Sequence, residues 1–179
     1  GGPRPDRGGA GWTGGGGVDG IGRERPEGGW EVEALFDLCF APGREALSSY
    51  RLRDGIPPEA ALCLVLREYG ALAAAIRVWP IRVGRLPALL LGPVAVHPTR
   101  QGEGLGALLI ERVCEDATRA GHPRIMLVGD APYYGRFDFT RLDGVEMPPP
   151  TNPDRVLGRA LTPGAWDGVT GAVERAEGG

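Results

Sequence analysis

The sequence predicts an α/β fold of the α+β kind, with one mixed sheet in which antiparallel strands come first and a central βαβ unit follows. Apolar runs at 61–67, 71–83 and 87–96 are joined by links of only a few residues, which suit antiparallel neighbours. A helical pattern then separates the third run from the apolar run 124–130. Strand, helix and strand in this order imply a parallel pair with a right-handed crossover.

The other elements follow from apolar periodicity and from residues that end helices. Residues 18–25 are expected to form an edge strand that Pro26 closes. One apolar face predicts a helix over 30–40, which Pro42 and Gly43 end. Further predicted elements are a short helix at 44–55, a helix opening at about Leu105 and ending before Gly121, a short helix at 132–137 and a strand at 156–161.

The chain of 179 residues is long enough for one domain with a core and too short for two ordinary ones. Residues 1–17, GGPRPDRGGAGWTGGGG, have almost no apolar side chains, so they cannot bury enough surface to offset the entropy of ordering. We therefore expect a disordered Gly-rich tail at 1–17 and a single domain over 18–179.

Charge and hydropathy limit which partners and which cellular compartment can be expected. A net charge of -3 and a pI of about 5.5 give no general attraction to nucleic acids or anionic lipids. No window reaches the roughly 18 uninterrupted apolar residues of a membrane span, and no apolar signal core opens the sequence. We expect a cytoplasmic protein with neither nucleic acid nor a membrane as partner. The oligomeric state stays open, with a homodimer as one option.

Scarce residue types exclude several reaction classes. All 20 basic residues are arginine, so a Schiff-base lysine and a Walker phosphate lysine are impossible. Two serines, two histidines and one asparagine disfavour a serine triad or a multi-histidine site, and no metal is expected. The three cysteines, Cys39, Cys63 and Cys114, lie far apart and are expected to be buried thiols.

A glycine-rich turn, QGEGLG at 101–106, opens the helix after the third long strand. Bare backbone N–H groups and the positive end of a helix make such a turn an anion site. A Walker loop is excluded because no G-K-[ST] is present. A relaxed dinucleotide fingerprint matches at 102–107, with Asp130 as the ribose ligand. However, HPTRQ separates strand from loop, and Asp130 lies 28 positions after Gly102 rather than about 20.

The same loop matches the Q/R-x-x-G-x-G/A signature and so resembles the GNAT superfamily of acetyl-CoA-dependent N-acetyltransferases. The stretch 93–139 resembles the central block of that family. From about Val18 to Val173 the chain is similar to the YhbS-like predicted acetyltransferases, including SYRLRDG at 49–55 and YYGRFDF at 133–139. The resemblance implies the GNAT acyl-CoA N-acyltransferase fold and acetyl-CoA as co-substrate.

The resemblance also implies a binding set for the coenzyme. Its pyrophosphate is expected on the backbone amides of the loop, with Gln101 at the entrance. Its pantetheine arm is expected to pair with the preceding strand, where Gly92 and Pro93 suit a bulge. The implied cofactor-binding residues are Val94, Ala95, Val96, Gln101, Gly102, Gly104, Leu105, Gly106 and Ala107.

Tyr134 is the expected catalytic acid, because it matches the tyrosine of the family's Y-x-x-x-G-F element. A tyrosine with a pKa of about 10 stays protonated at neutral pH and can protonate a leaving thiolate. Asp138 stands where the family has glycine. If that position needs a left-handed backbone, aspartate tolerates it better than most residues with a side chain.

The general base and the acceptor are less defined by the sequence. The acidic strand residue that serves some GNAT enzymes as base has no counterpart in LLLGPVAV, which leaves Glu68, Asp130, water or an amine that arrives neutral. His97 is expected to be a turn residue beside a proline. The candidates for the acceptor side are Tyr50, Arg77 and Trp79, with a core position as the alternative for Trp79.

The function expected from these residues and from the resemblance is acetyl transfer from acetyl-CoA to a primary amine, by direct attack in a ternary complex. The acceptor is a small-molecule or peptide amine, and no acyl-enzyme is expected. Two alternatives remain: a non-catalytic acyl-CoA-binding module, which needs the loop but not the tyrosine, and a dinucleotide-binding protein.

Overall fold

The computed structural model describes residues 18–40 and 52–176, and nine strands among them form its sheet. The predicted tail at 1–17 and most of the predicted helix at 44–55 lie outside the described residues, while residues 52–55 form a turn. The strands are β1 (Val18–Arg23), β2 (Leu64–Glu68), β3 (Ala71–Val83), β4 (Leu86–Val96), β5 (Arg124–Val128), β6 (Thr140–Arg141), β7 (Val145–Glu146), β8 (Val156–Ala160) and β9 (Gly171–Arg175).

The sheet has the order β1-β2-β3-β4-β5-β8-β6, and β9 pairs with both β3 and β7. Strands β1 to β4 are antiparallel neighbours, and β5 runs parallel to β4, as predicted. The sequence did not reveal β6, β7 or β9. Two of these have only two residues, too few for a period to show, and β9 is recognisable only through its pairing with the far end of β3.

Three α-helices accompany the sheet in the described residues: α1 (Gly29–Cys39), α2 (Leu105–Arg119) and α3 (Ala131–Tyr134). Short 3-10 turns occupy Pro26–Gly28, Ala60–Leu62, Pro98–Arg100, Gly135–Phe137 and Pro153–Arg155. The predicted helix at 132–137 is therefore α3 with its 3-10 extension. The run expected as strand from 61 begins as a 3-10 turn, so β2 starts at Leu64. No helix within 18–40 or 52–176 is long and apolar enough to cross a bilayer.

The two long helices cover opposite faces of the sheet. Helix α2 buries Leu109 and Val113 in the core cluster that contains Ile76 of β3. Helix α1 buries Phe36 in a second cluster with Ala95 of β4, which points to the other face. Because side chains alternate along a strand, β3 and β4 are covered on both sides.

A bulge interrupts the pairing of β3 with β4. Ile76 pairs with Val94, but the next aligned pairs leave Arg77 of β3 opposite both Gly92 and Pro93 of β4. Proline cannot donate a ladder hydrogen bond, so it is tolerated at such a bulge. The predicted bulge position is thus found in the fold.

Strands β4 and β5 separate soon after they meet. Their parallel pairing joins Leu89 to Ile125 and Leu90 to Met126, and it ends there. Strand β4 continues to Val96 without further pairing to β5. The two strands therefore enclose a gap on the carboxyl side of their contact, beside the bulge.

Candidate active site

The segment between β4 and the glycine-rich loop is a 3-10 turn, Pro98–Arg100. The backbone N–H of His97 donates to Ala73 O (2.8 Å), and its imidazole Nδ1 accepts from the backbone N–H of Thr99 (3.2 Å). His97 is therefore the capping residue of a turn, as predicted. This turn fills the stretch of chain between β4 and the glycine-rich loop. In the dinucleotide-binding pattern the loop follows its strand almost directly.

Arg100 ties this turn to its surroundings. Its Nε and Nη2 donate to the Glu103 carboxylate at 2.9 and 2.6 Å, and its Nη1 donates to Glu68 at the end of β2. Glu68, one of the acidic candidates for the base, is thus engaged in holding the loop.

Gly102 and Gly104 adopt left-handed backbone conformations, with φ of 87° and 81°. A Cβ at either position would meet nothing within 4 Å, so the backbone conformation, not crowding, selects glycine here. Gly104 is the N-cap of α2, and the first amides of a helix have no partner within the helix. The loop therefore has open space beside its two left-handed glycines, and it leads into the positive end of a helix of 15 residues, where the first N–H groups have no partner within the helix.

The third glycine of the motif has another role. A Cβ at Gly106 would lie 3.5 Å from Cγ2 of Val96 and 3.9 Å from Cγ1 of Val94, at ordinary contact distance. Gly106 therefore lets the first turn of α2 lie close to the end of β4. Leu105 beside it is buried in the core, and Ala107 packs at its margin.

Gln101 joins the loop to β4. Its Nε2 donates to Val96 O at 2.9 Å, and the thiol of Cys39 on α1 donates to the same carbonyl at 3.3 Å. The side chain of Gln101 thus fixes the start of the loop against the end of the strand.

The backbone N–H and C=O groups of successive residues of β4 point alternately toward β3 and toward the gap. In an antiparallel ladder, hydrogen-bonded pairs alternate with non-hydrogen-bonded ones. Because His97 bonds Ala73, the pair of Ala95 with Ala75 is of the bonded kind. Val94 and Val96 therefore turn their backbone groups away from β3 and toward the gap, while Ala95 is directed to β3.

A cavity of about 310 Å³ occupies the gap between β4 and β5. Its walls are residues 90–94 of the β4 side and 127–130 at the end of β5, together with Tyr134. Three further residues, Phe40, Arg53 and Arg155, complete the lining. The cavity thus combines the exposed edge of β4 with the predicted catalytic tyrosine.

Tyr134 is half-buried and is held by aromatic neighbours. Its ring lies edge-on to Tyr133 at 4.9 Å and to Phe139 at 6.2 Å between centroids. Burial raises the pKa of Tyr134, the nearby Tyr133 and Asp130 raise it further, and Arg155 opposes them. The phenol is therefore protonated at neutral pH, which a proton donor requires.

The backbone around Tyr134 is fixed by its own hydrogen bonds. Asp130 caps α3 by accepting from the Tyr133 N–H at 3.2 Å, and Phe139 N–H donates to Tyr134 O at 3.3 Å. Asp138 has φ of 67° and ψ of 24°, in the left-handed region. The position where the family has glycine does need that conformation, and aspartate adopts it here.

The sequence analysis did not single out Gly129, which lies directly against the ring of Tyr134. A Cβ on this residue would lie 2.5 Å from Cε2 and 2.8 Å from Cδ2 of Tyr134, too close for the ring to stay in place. Its N–H donates to Arg155 O at 2.9 Å, which fixes the backbone behind the ring. A glycine at the end of an apolar strand often marks such a close approach, and RIMLVGD contains that signal.

The acceptor-side candidates take different places. Arg77 donates from Nε and Nη2 to the Glu24 carboxylate at 3.0 and 2.7 Å and from Nη1 to Glu33. It therefore joins α1 to β3, outside the lining of the cavity. Trp79 packs against a third core cluster, which contains Leu90 and Met126, and donates from Nε1 to Gly92 O at 2.9 Å. Tyr50 lies outside the described residues.

The thiols are poor nucleophiles. Burial raises the pKa of Cys63 to about 11 and also raises the pKa of Cys39 and of Cys114. All three remain protonated at neutral pH. In the described part of the chain, no group of three or more His, Cys, Asp or Glu side chains is arranged to hold a metal ion.

Comparisons with known proteins agree with this geometry. The family model "Acetyltransferase (GNAT) family" matches residues 30–139, from α1 to Phe139. A search of curated proteins finds no match.

Two crystal structures are similar over most of the chain. A GNAT family N-acetyltransferase (YhbS) from Escherichia coli, in complex with CoA, is 25% identical with a TM-score of 0.75, over 88% of this chain and 89% of that one. A GNAT family acetyltransferase from Brucella melitensis, in complex with acetyl-CoA, is 27% identical with a TM-score of 0.68, over 88% of this chain and 96% of that one.

The family model covers more than half of the chain, and its span includes the loop, the gap and Tyr134. The antiparallel strands β1 to β4 and the parallel β4–β5 pair are the arrangement that was predicted. The predicted family and fold are therefore confirmed: this chain belongs to the GNAT family of acetyltransferases.

Proposed function

We propose that the protein transfers the acetyl group of acetyl-CoA to a primary amine, which attacks the thioester directly in a ternary complex. The observation that carries the proposal is an arrangement along β4: the cavity that Tyr134 lines lies against residues 90–94, and the glycine-rich loop follows the end of the same strand. The relatives crystallised with CoA and with acetyl-CoA support this choice of co-substrate.

The coenzyme extends along β4 in this proposal. Its pyrophosphate accepts hydrogen bonds from amides of the loop, Gly102 to Ala107, where helix polarity favours negative charge. Its pantetheine amides pair with the backbone groups of Val94 and with the N–H of Val96, which face the gap, because Gln101 and Cys39 already donate to the carbonyl of Val96. Ala95 is the spacer between them, because its own backbone groups are directed to β3.

The reaction then needs one proton donor and one proton acceptor. The amine nitrogen bonds to the thioester carbon, the C=O electrons move to oxygen, and a backbone N–H of β4 stabilises that oxyanion. When the tetrahedral intermediate collapses, the C–S bond breaks and the Tyr134 hydroxyl gives its proton to the thiolate. The amide and CoA are the products.

The amine loses its proton to solvent. Glu68 accepts a hydrogen bond from Arg100, and Asp130 caps α3, so both carboxylates already have partners and neither is assigned as the base that deprotonates the amine. The raised pKa of the three thiols supports direct transfer rather than an acyl-enzyme. We further propose that residues 18–179 act as one catalytic domain in the cytoplasm, where acetyl-CoA and reduced thiols are both available.

The proposal is tested by calorimetry and by thiol release. We expect tight binding of acetyl-CoA, no binding of NAD, and CoA release that depends on an added primary amine. Binding of CoA without turnover of any amine, small or peptide, would instead support a non-catalytic acyl-CoA-binding module. Tight binding of NAD without CoA would support the dinucleotide hypothesis.

A further inference from the structure

Arg53 is a buried residue that lines the cavity. The residue is only 9% exposed, and its guanidinium carbon lies 5.5 Å from the centroid of the Trp79 ring. The indole of Trp79 in turn donates to Gly92 O at 2.9 Å. A planar cation stacked on an indole is held in a defined orientation, since the ring face attracts it.

The guanidinium lies at the bulge of β4. An ideal Cβ on Gly92 would be 3.9 Å from Nη2 of Arg53, so the charged head is close to the backbone where β4 leaves β5. Tyr134 lines the same cavity of about 310 Å³. That volume is at the small end for ligand pockets, which are roughly 300–1,000 Å³. A ligand that contacts both Arg53 and Tyr134 must therefore be short, with only a few bonds between the group at Arg53 and the group at Tyr134.

The charged side chains along the cavity favour an anionic ligand. The described lining contains the two arginines Arg53 and Arg155 and one carboxylate, Asp130. Asp130 is already the capping acceptor of the Tyr133 N–H. A buried guanidinium offers paired N–H donors that match both oxygens of a carboxylate, and burial strengthens such a bond.

We infer that the acceptor is a small amino carboxylate, whose carboxylate binds Arg53 while its amino group faces the thioester. The inference rests on the proposed acetyl transfer and names its substrate class. Diamines and polyamines carry only positive charge, which the Arg53 guanidinium repels, so they are poor acceptors. Arg53 is then a specificity-determining residue, and it leaves the chemistry to Tyr134.

The first test compares matched acceptors that differ only in the carboxylate. Glycine, β-alanine and larger α-amino acids are each paired with the corresponding amide, and kcat/KM is measured from CoA release. We expect a preference of about tenfold or more for the acids, the value of one hydrogen bond to a charged group. The amides have the more acidic ammonium groups, so their higher share of neutral amine works against the expected result.

The second test removes the charge. Arg53→Met keeps an apolar stem, and Arg53→Lys keeps the charge without the fork. Arg53→Met should lower kcat/KM for the acids by about 10- to 100-fold and leave the amides unchanged, while Arg53→Lys retains part of the preference. The control is Arg124→Met, because Arg124 also stacks on an indole, that of Trp166, away from the cavity. It should leave the acid-to-amide ratio unaltered.

Each outcome has one meaning. Amides or diamines that react as well as the acids overturn the inference and leave the proposed acetyl transfer standing, as does an unchanged ratio in Arg53→Met. Failure of every amine overturns the proposed function itself. Calorimetry with CoA verifies that each variant is folded, and if Arg53→Met does not fold, the wild-type ratio and Arg53→Lys still decide.

Discussion

The glycine-rich loop and the cavity between β4 and β5 show two ways of building the proposed site. The loop and the turn before it are one continuous stretch, and the proposed role of the loop depends on its backbone N–H groups and glycine conformations. The cavity works through side chains, and its walls come from β4, from the end of β5 and from the turn that carries Arg53.

Substitutions in the loop and in the cavity are expected to act in different ways. In the loop, a substitution acts mainly through the backbone angles that a Cβ disfavours. In the cavity, a substitution acts through contacts, as when a Cβ on Gly129 would displace the ring of Tyr134. The loop should therefore control affinity for the coenzyme and the cavity should control turnover.

Tyr134→Phe is expected to have the largest effect. It removes the hydroxyl and keeps the ring, so kcat should fall by about 100-fold or more, the usual contribution of general acid catalysis. The affinity for CoA should not change, because the loop is untouched. Steady-state kinetics and calorimetry measure the two quantities. Nearly full turnover in this variant would remove Tyr134 from the mechanism.

Gly129→Ala should lower kcat by about tenfold while the Tyr134 hydroxyl is still present, because the ring must move to avoid the new Cβ. Combined with Tyr134→Phe it should cost nothing further, since both changes act on the same proton transfer. The control is Gly158→Ala, whose Cβ would lie 2.7 Å from Cδ1 of Leu142, a partly buried side chain that packs against the core. That variant should lose stability and keep its kcat. Additive effects of the first two changes would argue against the positioning role of Gly129.

Gly104→Ala should weaken CoA binding by up to about tenfold, since a left-handed residue with a Cβ costs about 1–2 kcal/mol and binding must hold the loop in that conformation. Gly121→Ala is the matched control: φ is 92°, no atom lies within 4 Å of its Cβ, and it follows the opposite end of α2. Calorimetry should show normal CoA affinity in the control. Equal loss in both would mean that the loop has no special part in binding.

The pH dependence of kcat should reflect the environment of Tyr134. Burial raises its pKa above the ordinary value of about 10, so the acid form persists to a higher pH than for an exposed tyrosine. With saturating substrates, kcat should therefore not decline until the pH passes about 10. A decline centred well below that value would point to another group as the donor.

Asp130→Asn is expected to have the smallest effect, a change in kcat/KM of less than about threefold. Asparagine caps a helix as well as aspartate does, so α3 and Tyr134 should keep their places. The substitution removes only a carboxylate, which the amine does not need if solvent takes its proton. A loss of 100-fold at neutral pH, recovered at higher pH, would make Asp130 the base.

The same contrast explains how much could be predicted from the sequence. The QGEGLG loop was predictable because its glycines, its following helix and its distance from β4 are local features of the chain. Tyr134 was identified as a candidate because its spacing to Phe139 resembles the family's motif, and Asp138 adopts the left-handed backbone that its position suggested. Short-range patterns suffice where the function depends on backbone conformation.

The parts that escaped prediction depend on contacts between distant residues. Arg53 lies far along the chain from Trp79 and Gly92, and no local pattern indicates that its guanidinium stacks on that indole. Arg77, a candidate for the acceptor side, proved to bind Glu24 and Glu33 instead. Strand β9 became visible only through its pairing with the end of β3.

The sequence by itself determined the class of the fold and the position of the glycine-rich loop, because periodicity and local spacing encode both, and the resemblance to the family's motif identified Tyr134 as the candidate acid. Only the tertiary structure decided which side chains share the cavity, how Gly129 makes room for Tyr134 and where the charge of Arg53 lies. Packing brings these residues together, and a packed contact has no counterpart in the order of neighbouring residues.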